Sequence, residues 1–169
     1  MRFRSKLEES VAHQLDLYGV EWQYEEHTLD FLQPVKNGQC LCCKRADSVY
    51  KASRYTPDFF LPEFNVYIEV KGMMDSVYRT RMAAMLKHYY YKLDLYWVLN
   101  HDMPLVANRK YKRERVGEPK RYSDWIRSQG LEHCVKVIPP EVVQNWREKA
   151  NVRPRLVRPG HQSYFKSEG

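Results

Sequence analysis

Along the first part of the chain the apolar positions follow two different rhythms. Leu7, Val11, Leu15 and Tyr18 recur at helical spacing and predict a helix over Ser5 to Tyr18 with one apolar stripe. Ser5 with Glu8 three residues later is a capping-box pairing, and Gly19 is the expected stop. Val20 to Glu26 alternates instead, with Val20, Trp22 and Tyr24 on one side, and predicts a half-buried strand. From Arg54 the strand rhythm returns. Tyr55 to Phe60 is short and β-prone, Pro62 to Asn65 is a turn, and Asn65 to Lys71 is a second strand. On that strand Val66, Ile68 and Val70 point one way and Tyr67, Glu69 and Lys71 the other. Gly72 ends it.

The remainder continues the alternation of helix and strand. Met73 to about Tyr90 predicts a helix whose core face is Val77, Met82, Met85, Leu86 and Tyr89. Leu93 to Leu99 is a buried strand by its apolar density. Tyr122 to Gln129 is a helical piece ending at Gly130, Val135 to Ile138 a short strand, and Pro140 to Lys149 a last helix. Residues 27–54 fit neither rhythm cleanly. Leu29 to Val35 and Val49 to Ala52 can form two extended limbs around the Asn37-Gly38 turn signal, which suggests a protruding hairpin arm or connector. The order of elements predicts a small α/β domain with a mixed sheet covered by helices.

At 169 residues, with 43% hydrophobic and 14% aromatic content, the chain has material for one folded domain. No apolar run is long enough to cross a bilayer, and no apolar signal core follows the basic N-terminus, so the expectation is a cytoplasmic protein. The formal charge of +7 sharpens the picture because it is unevenly placed. Between Asn108 and Tyr122 lie Arg109, Lys110, Lys112, Arg113, Arg115, Lys120 and Arg121 against only Glu114 and Glu118. Clustered cations release counterions from a polyphosphate, which points to nucleic acid as the partner. A second basic stretch, residues 151–169, has no periodicity and reads as a flexible tail.

The string that carries chemistry is Pro57-Asp58 followed, eleven residues after Asp58, by Glu69-Val70-Lys71. Two strands joined by a tight turn can set Asp58 beside Glu69, and alternation turns Lys71 to the same face. Two carboxylates suit a hard cation that keeps several waters. Such a cation acidifies water and clamps phosphate oxygens, while an ammonium beside it stabilises developing negative charge. A plainer reading exists: Asp58 opens a turn, and Glu69 and Lys71 form a solvated pair on a sheet surface. Glu8 is equally double-edged, either the reciprocal partner in the helix cap or a further acid.

The residues around this string resemble the bacteriophage endonuclease I family of junction-resolving nucleases. The matching stretches are Phe3-Arg4-Ser5-x-Leu7-Glu8, Gly19-Val20-Glu21 into Tyr24-Glu25-Glu26, and Tyr55-Thr56-Pro57-Asp58-Phe59 with Leu61-Pro62. They continue through Glu69-x-Lys71-Gly72, Leu93-Asp94-Leu95 and Ile138-Pro139. The resemblance implies a restriction-endonuclease-like PD-(D/E)XK fold in an intertwined, domain-swapped homodimer. It implies a structure-selective endonuclease that resolves four-way and other branched DNA using Mg²⁺ or Mn²⁺, up to two ions per site, in the host cytoplasm. Asp58 and Glu69 are then the metal carboxylates with the Val70 carbonyl as a further ligand, Lys71 the catalytic lysine, and Glu8 an additional acid from the other subunit. The division that follows is an endonuclease domain over 1–150, comprising an exchanged segment 1–26, a bridge 27–54 and a catalytic core 55–150. Arg54, Arg79, Arg81, Lys110, Lys112 and Arg113 are candidate DNA contacts.

Two other readings share these residues. The same motif serves sequence-specific, repair and transposition nucleases, so chemistry alone does not select the substrate. The cluster Cys40-Leu41-Cys42-Cys43 departs from the family pattern, and its Cys40 and Cys43 have zinc-knuckle spacing. A structural Zn²⁺ there, completed by Cys134, His27 or a second copy, would suit a non-catalytic DNA-binding module.

Overall fold

The computed structural model describes residues 2–35, 49–89, 93–105, 120–130 and 134–152, Cys134 and Val152 by their backbone alone. The Asn37-Gly38 turn, the Cys40–Cys43 cluster, the Lys110, Lys112 and Arg113 group and the tail beyond residue 152 lie outside the described residues.

Helix α1 spans Lys6–Leu17, and Ser5 caps it by accepting the Glu8 N–H on Oγ at 3.2 Å. It closes through a Schellman motif: Val20 N–H reaches the Leu15 carbonyl at 2.9 Å and Gly19 N–H the Asp16 carbonyl at 3.0 Å. Gly19 sits at φ +61°, where a side chain would be strained. This stop corrects the long strand expected over Val20 to Glu26. Val20 belongs to the helix terminus, the left-handed Glu25 (φ 52°) breaks the extended chain, and only Gln23–Tyr24 remains as β1.

A five-stranded sheet runs in the order β1, β4 (Phe59–Leu61), β5 (Val66–Lys71), β6 (Leu95–Leu99), β7 (Cys134–Val135). The β1–β4 and β4–β5 pairs are antiparallel, and β5–β6 and β6–β7 parallel, so the sheet is mixed as expected. Its two faces bury different layers. Val66, Ile68 and Val70 of β5, with Tyr96 and Val98, pack beneath α1 and α4 (Pro140–Val152). Leu95, Trp97 and Leu99 look the other way, onto α2 (Ser76–His88), α3 (Tyr122–Ser128) and a two-stranded ribbon. That ribbon pairs β2 (Leu29–Pro34) antiparallel with β3 (Tyr50–Tyr55). It is the expected arm, and it exposes most of its side chains, burying Phe31 and Tyr55.

Two further boundaries differ from the sequence reading. Helix α2 starts at Ser76 rather than Met73, because Asp75 caps it by accepting the Tyr78 N–H at 2.7 Å. Val77 therefore sits in the first turn and is 73% exposed, not in the core, whereas Met82, Met85 and Leu86 are fully buried. The strand expected over Val135 to Ile138 pairs only at Cys134–Val135, and Ile138 is instead held by Gln14 and Tyr18 of the α1 end. Among the described residues no helix is long and apolar enough to cross a membrane.

Candidate active site

The register of β4 against β5 sets Phe59 opposite Ile68, so one more step would place Asp58 opposite Glu69. Asp58 lies just before β4, and its carboxylate accepts the Val70 N–H at 2.7 Å. Its own carbonyl accepts the Glu25 N–H at 3.0 Å, which ties it to the end of β1. Asp58 is thus fixed by backbone groups from both neighbouring strands. It is 7% exposed, and Glu69 on β5 is 1% exposed.

That burial decides against a solvated Glu69–Lys71 pair. Glu69 takes three donors: Lys71 Nζ at 2.8 Å and Tyr78 O–H at 3.0 Å on Oε1, and Tyr55 O–H on Oε2. Lys71 keeps a side chain 30% exposed and also lies over the Tyr78 ring, 4.7 Å from its centroid. Burial works against the Lys71 charge, but Glu69 and then Asp58 outweigh it and raise its pKa, so it stays an ammonium. Burial and the Glu69 charge push the Asp58 carboxyl up as well, to about 8, which for an acid disfavours the charged form, against the opposing help of Val70 N–H and Lys71.

Asp58 and Glu69 are two buried carboxylates with one neighbouring ammonium, a deficit of positive charge. A divalent cation fits that deficit, and the oxygen donors suit a hard ion. Among the described residues no three His, Cys, Asp or Glu side chains converge as a metal cage, so the remaining ligands would be backbone oxygen and water. His27, a suggested completion for zinc, instead stacks on Phe60 with centroids 4.0 Å apart and sits 3.0 Å from Gln23 Oε1.

Glu8 takes up the helix-cap reading. It is 6% exposed, accepts Ser5 O–H at 2.8 Å on Oε1, and accepts Arg4 N–H at 2.9 Å and Tyr24 O–H at 2.5 Å on Oε2. The Glu8 side chain thus reaches back past the cap to Arg4 N–H, with the Ser5 backbone N–H also contributing. Burial pushes the Glu8 carboxyl up, yet the Tyr24, Ser5 and Arg4 donors together leave it below its ordinary value. The Tyr24 phenol is pushed up to about 12, by burial first and by Glu8 second. Glu8 is also close enough to add to the electrostatic push on Asp58 and Lys71.

Glu8, Asp58, Glu69 and Lys71 thus lie close enough to act on one another, and comparison with known sequences says what kind of chain does this. A family model described as phage endonuclease I matches residues 1–155. The chain belongs to the phage endonuclease I family. It is 27% identical to endonuclease I of Escherichia phage T7 over 158 residues, covering 94% of this chain and 89% of that protein. It is 29% identical to endodeoxyribonuclease 1 of Enterobacteria phage T3 over 137 residues, covering 81% of this chain and 74% of that protein.

In this member of the endonuclease I family the candidate DNA-contacting arginines already have protein partners. Arg54 pairs with Asp30 at 3.2 Å, Arg81 donates to the Arg54 carbonyl, and Arg79 donates to the Met74 carbonyl at 2.6 Å. Each guanidinium has five N–H donors, so these bonds leave others available. Sequence reasoning missed Tyr55, Tyr78 and Trp97, which surround Glu69. Tyr55 stands inside the Tyr55-Thr56-Pro57-Asp58 string, but nothing in its spacing distinguishes a site tyrosine from a core one.

Proposed function

We propose that the chain is a metal-dependent endodeoxyribonuclease that resolves four-way and other branched DNA by paired phosphodiester hydrolysis. One observation carries the chemistry: Asp58 and Glu69, two buried carboxylates contributed by β5 and the residue leading into β4, meet the Lys71 ammonium on the central strand of the sheet. The family names of the relatives support DNA as the substrate, and the net charge of +7 supports a polyanionic partner.

Asp58, Glu69 and the Val70 carbonyl would hold Mg²⁺ or Mn²⁺. When bound, such an ion supplies an acidified water and neutralises charge on the phosphate oxygens. Asp58 is oriented for this by the Val70 N–H, and Glu69 by its three donors. Lys71, partly exposed and fully charged, steadies the attacking water or the charge that builds on phosphorus. Glu8 adds negative potential from the α1 end.

The sheet order and the covering helices support a PD-(D/E)XK type of fold, and shape rather than base sequence would guide binding. Two such sites in a homodimer could nick symmetric strands. In a swapped dimer the partner chain would supply Glu8 and its helix to each site.

Purified protein assayed on a synthetic four-way junction and a matched linear duplex with Mg²⁺ is expected to cut the junction preferentially. Equal or absent cutting of the junction overturns the reading. Mixing Glu8→Ala with Asp58→Ala after co-refolding tests the exchange. Swapped heterodimers rebuild one intact site, whereas unswapped ones rebuild none.

A further inference from the structure

A carboxylate removed from water keeps its charge only where other groups replace the lost hydration. Glu69, the most deeply buried charged residue among those described, receives that replacement largely from two phenols with no part in the chemistry proposed above. Tyr55 donates to Oε2 and Tyr78 to Oε1, where Lys71 also binds. The direction of the Tyr78 bond follows from its other neighbour. The Trp97 indole N–H can only donate, and it lies 3.1 Å from the Tyr78 hydroxyl oxygen. That oxygen accepts from Trp97, so its single proton is aimed at Glu69.

We propose that Tyr55 and Tyr78 are positioning residues that hold Glu69 as a fixed anionic ligand for a divalent cation. The inference rests on the reading of Asp58 and Glu69 as a cation site. An ionised carboxylate offers about four acceptor positions. Three are filled here by donors from three directions: β3, α2 and Glu69's own strand. The plane of the carboxylate is thereby set, and one acceptor position on Oε2 is left for the ion. Without the phenols, the glutamate side chain would sample other rotamers, and binding an ion would require ordering it again.

The two clamps come from separate parts of the fold. Tyr78 stands in the first turn of α2, whose Asp75 cap accepts its backbone N–H. Tyr55 is the last residue of β3, so the arm supplies half of the phenolic support for Glu69. Movement of the arm would therefore be felt at the carboxylate through one hydrogen bond.

The test uses calcium as the probe, titrated calorimetrically into the full chain, alongside the Mg²⁺ dependence of single-turnover junction cutting. Tyr55→Phe and Tyr78→Phe are each expected to weaken calcium binding about tenfold and to raise the half-saturating Mg²⁺ concentration by a similar factor, with cutting largely restored at saturating Mg²⁺. Tyr18→Phe removes a comparable phenol bond, to the Ile138 carbonyl at 3.0 Å, and leaves both readouts unchanged. Circular dichroism checks folding, and each phenol variant is judged separately, so a misfolded one leaves the other to decide. Calcium binding that is lost in Asp58→Ala but unchanged in a folded phenol variant overturns this inference alone. Wild-type protein that binds no calcium, or whose binding survives Asp58→Ala, overturns the functional reading and this inference with it.

Discussion

Two buried acidic centres lie close enough to act on one another, and they are built in opposite ways. Glu8 at the start of α1 is satisfied by its surroundings: Ser5 and Arg4 lie within four residues, and only Tyr24 comes from farther along the chain. The result is a carboxyl held below its ordinary pKa, a centre that stabilises the fold. Asp58 beside Glu69 is not satisfied. With the Val70 N–H and Lys71 both helping, burial and a neighbouring negative charge still push Asp58 to about 8. A protein can carry such a centre only by giving up stability, and the difference separates an acid compensated by its helix cap from one left under-compensated.

The largest way to break the comparison is at the unsatisfied centre. Asp58→Ala is expected to lower the junction-cutting rate about 1000-fold or more, measured in single turnover at saturating Mg²⁺. Lys71→Ala should follow at about 100-fold or more, since it removes one charge-stabilising group and leaves both carboxylates. If cutting survives Asp58→Ala, the centre has no catalytic part.

Stability should move in opposite directions at the two centres. Glu8→Ala strands the Tyr24 hydroxyl, the Arg4 N–H and the cap, and is expected to cost about 3 kcal/mol in urea unfolding. Asp58→Asn removes the repulsion with Glu69 and should raise the melting temperature of the metal-free protein.

The smaller and more discriminating effect is in the pH dependence. Asp58 is raised from 3.8 to about 8, so metal-free stability at this site is full below pH 3.8 and is lost as pH rises towards 8. Glu8 is lowered from 4.5, so its contribution is present above pH 4.5 and is lost as pH falls through its depressed value. Asp58→Asn should flatten the first slope, Glu8→Gln the second, in melting temperatures recorded without metal from pH 3 to 9. The same proton linkage makes calcium affinity climb with pH up to about 8, because the ion displaces the Asp58 proton. Smallest of all is Ser5→Ala, expected to cost about 1 kcal/mol as a lost N-cap.

How much was legible in advance depends on how local the cause is. Period and punctuation alone located α1, the Gly19 stop, the β4–turn–β5 unit and the alternation that turns Glu69 and Lys71 to one face, because each rests on neighbours within a few residues. The arm was anticipated too, from its turn signal and its poor fit to either rhythm. Val20 was misassigned because a Schellman motif and an alternating strand both want an apolar residue after glycine. Val77 was misplaced because the Asp75 cap sets where α2 begins, and apolar spacing does not reveal that start.

The sequence by itself therefore singled out the candidate residues: two carboxylates and a lysine at strand spacing, in an order that matches the family. Only the tertiary structure decided what those groups are. It sank Glu69 to 1% exposure, drew Tyr55 from the arm and Tyr78 and Trp97 from other elements around it, and left Asp58 under-compensated. The reason is physical. Desolvation and charge repulsion depend on what surrounds a group from every side, and those surroundings come from segments far apart in the chain.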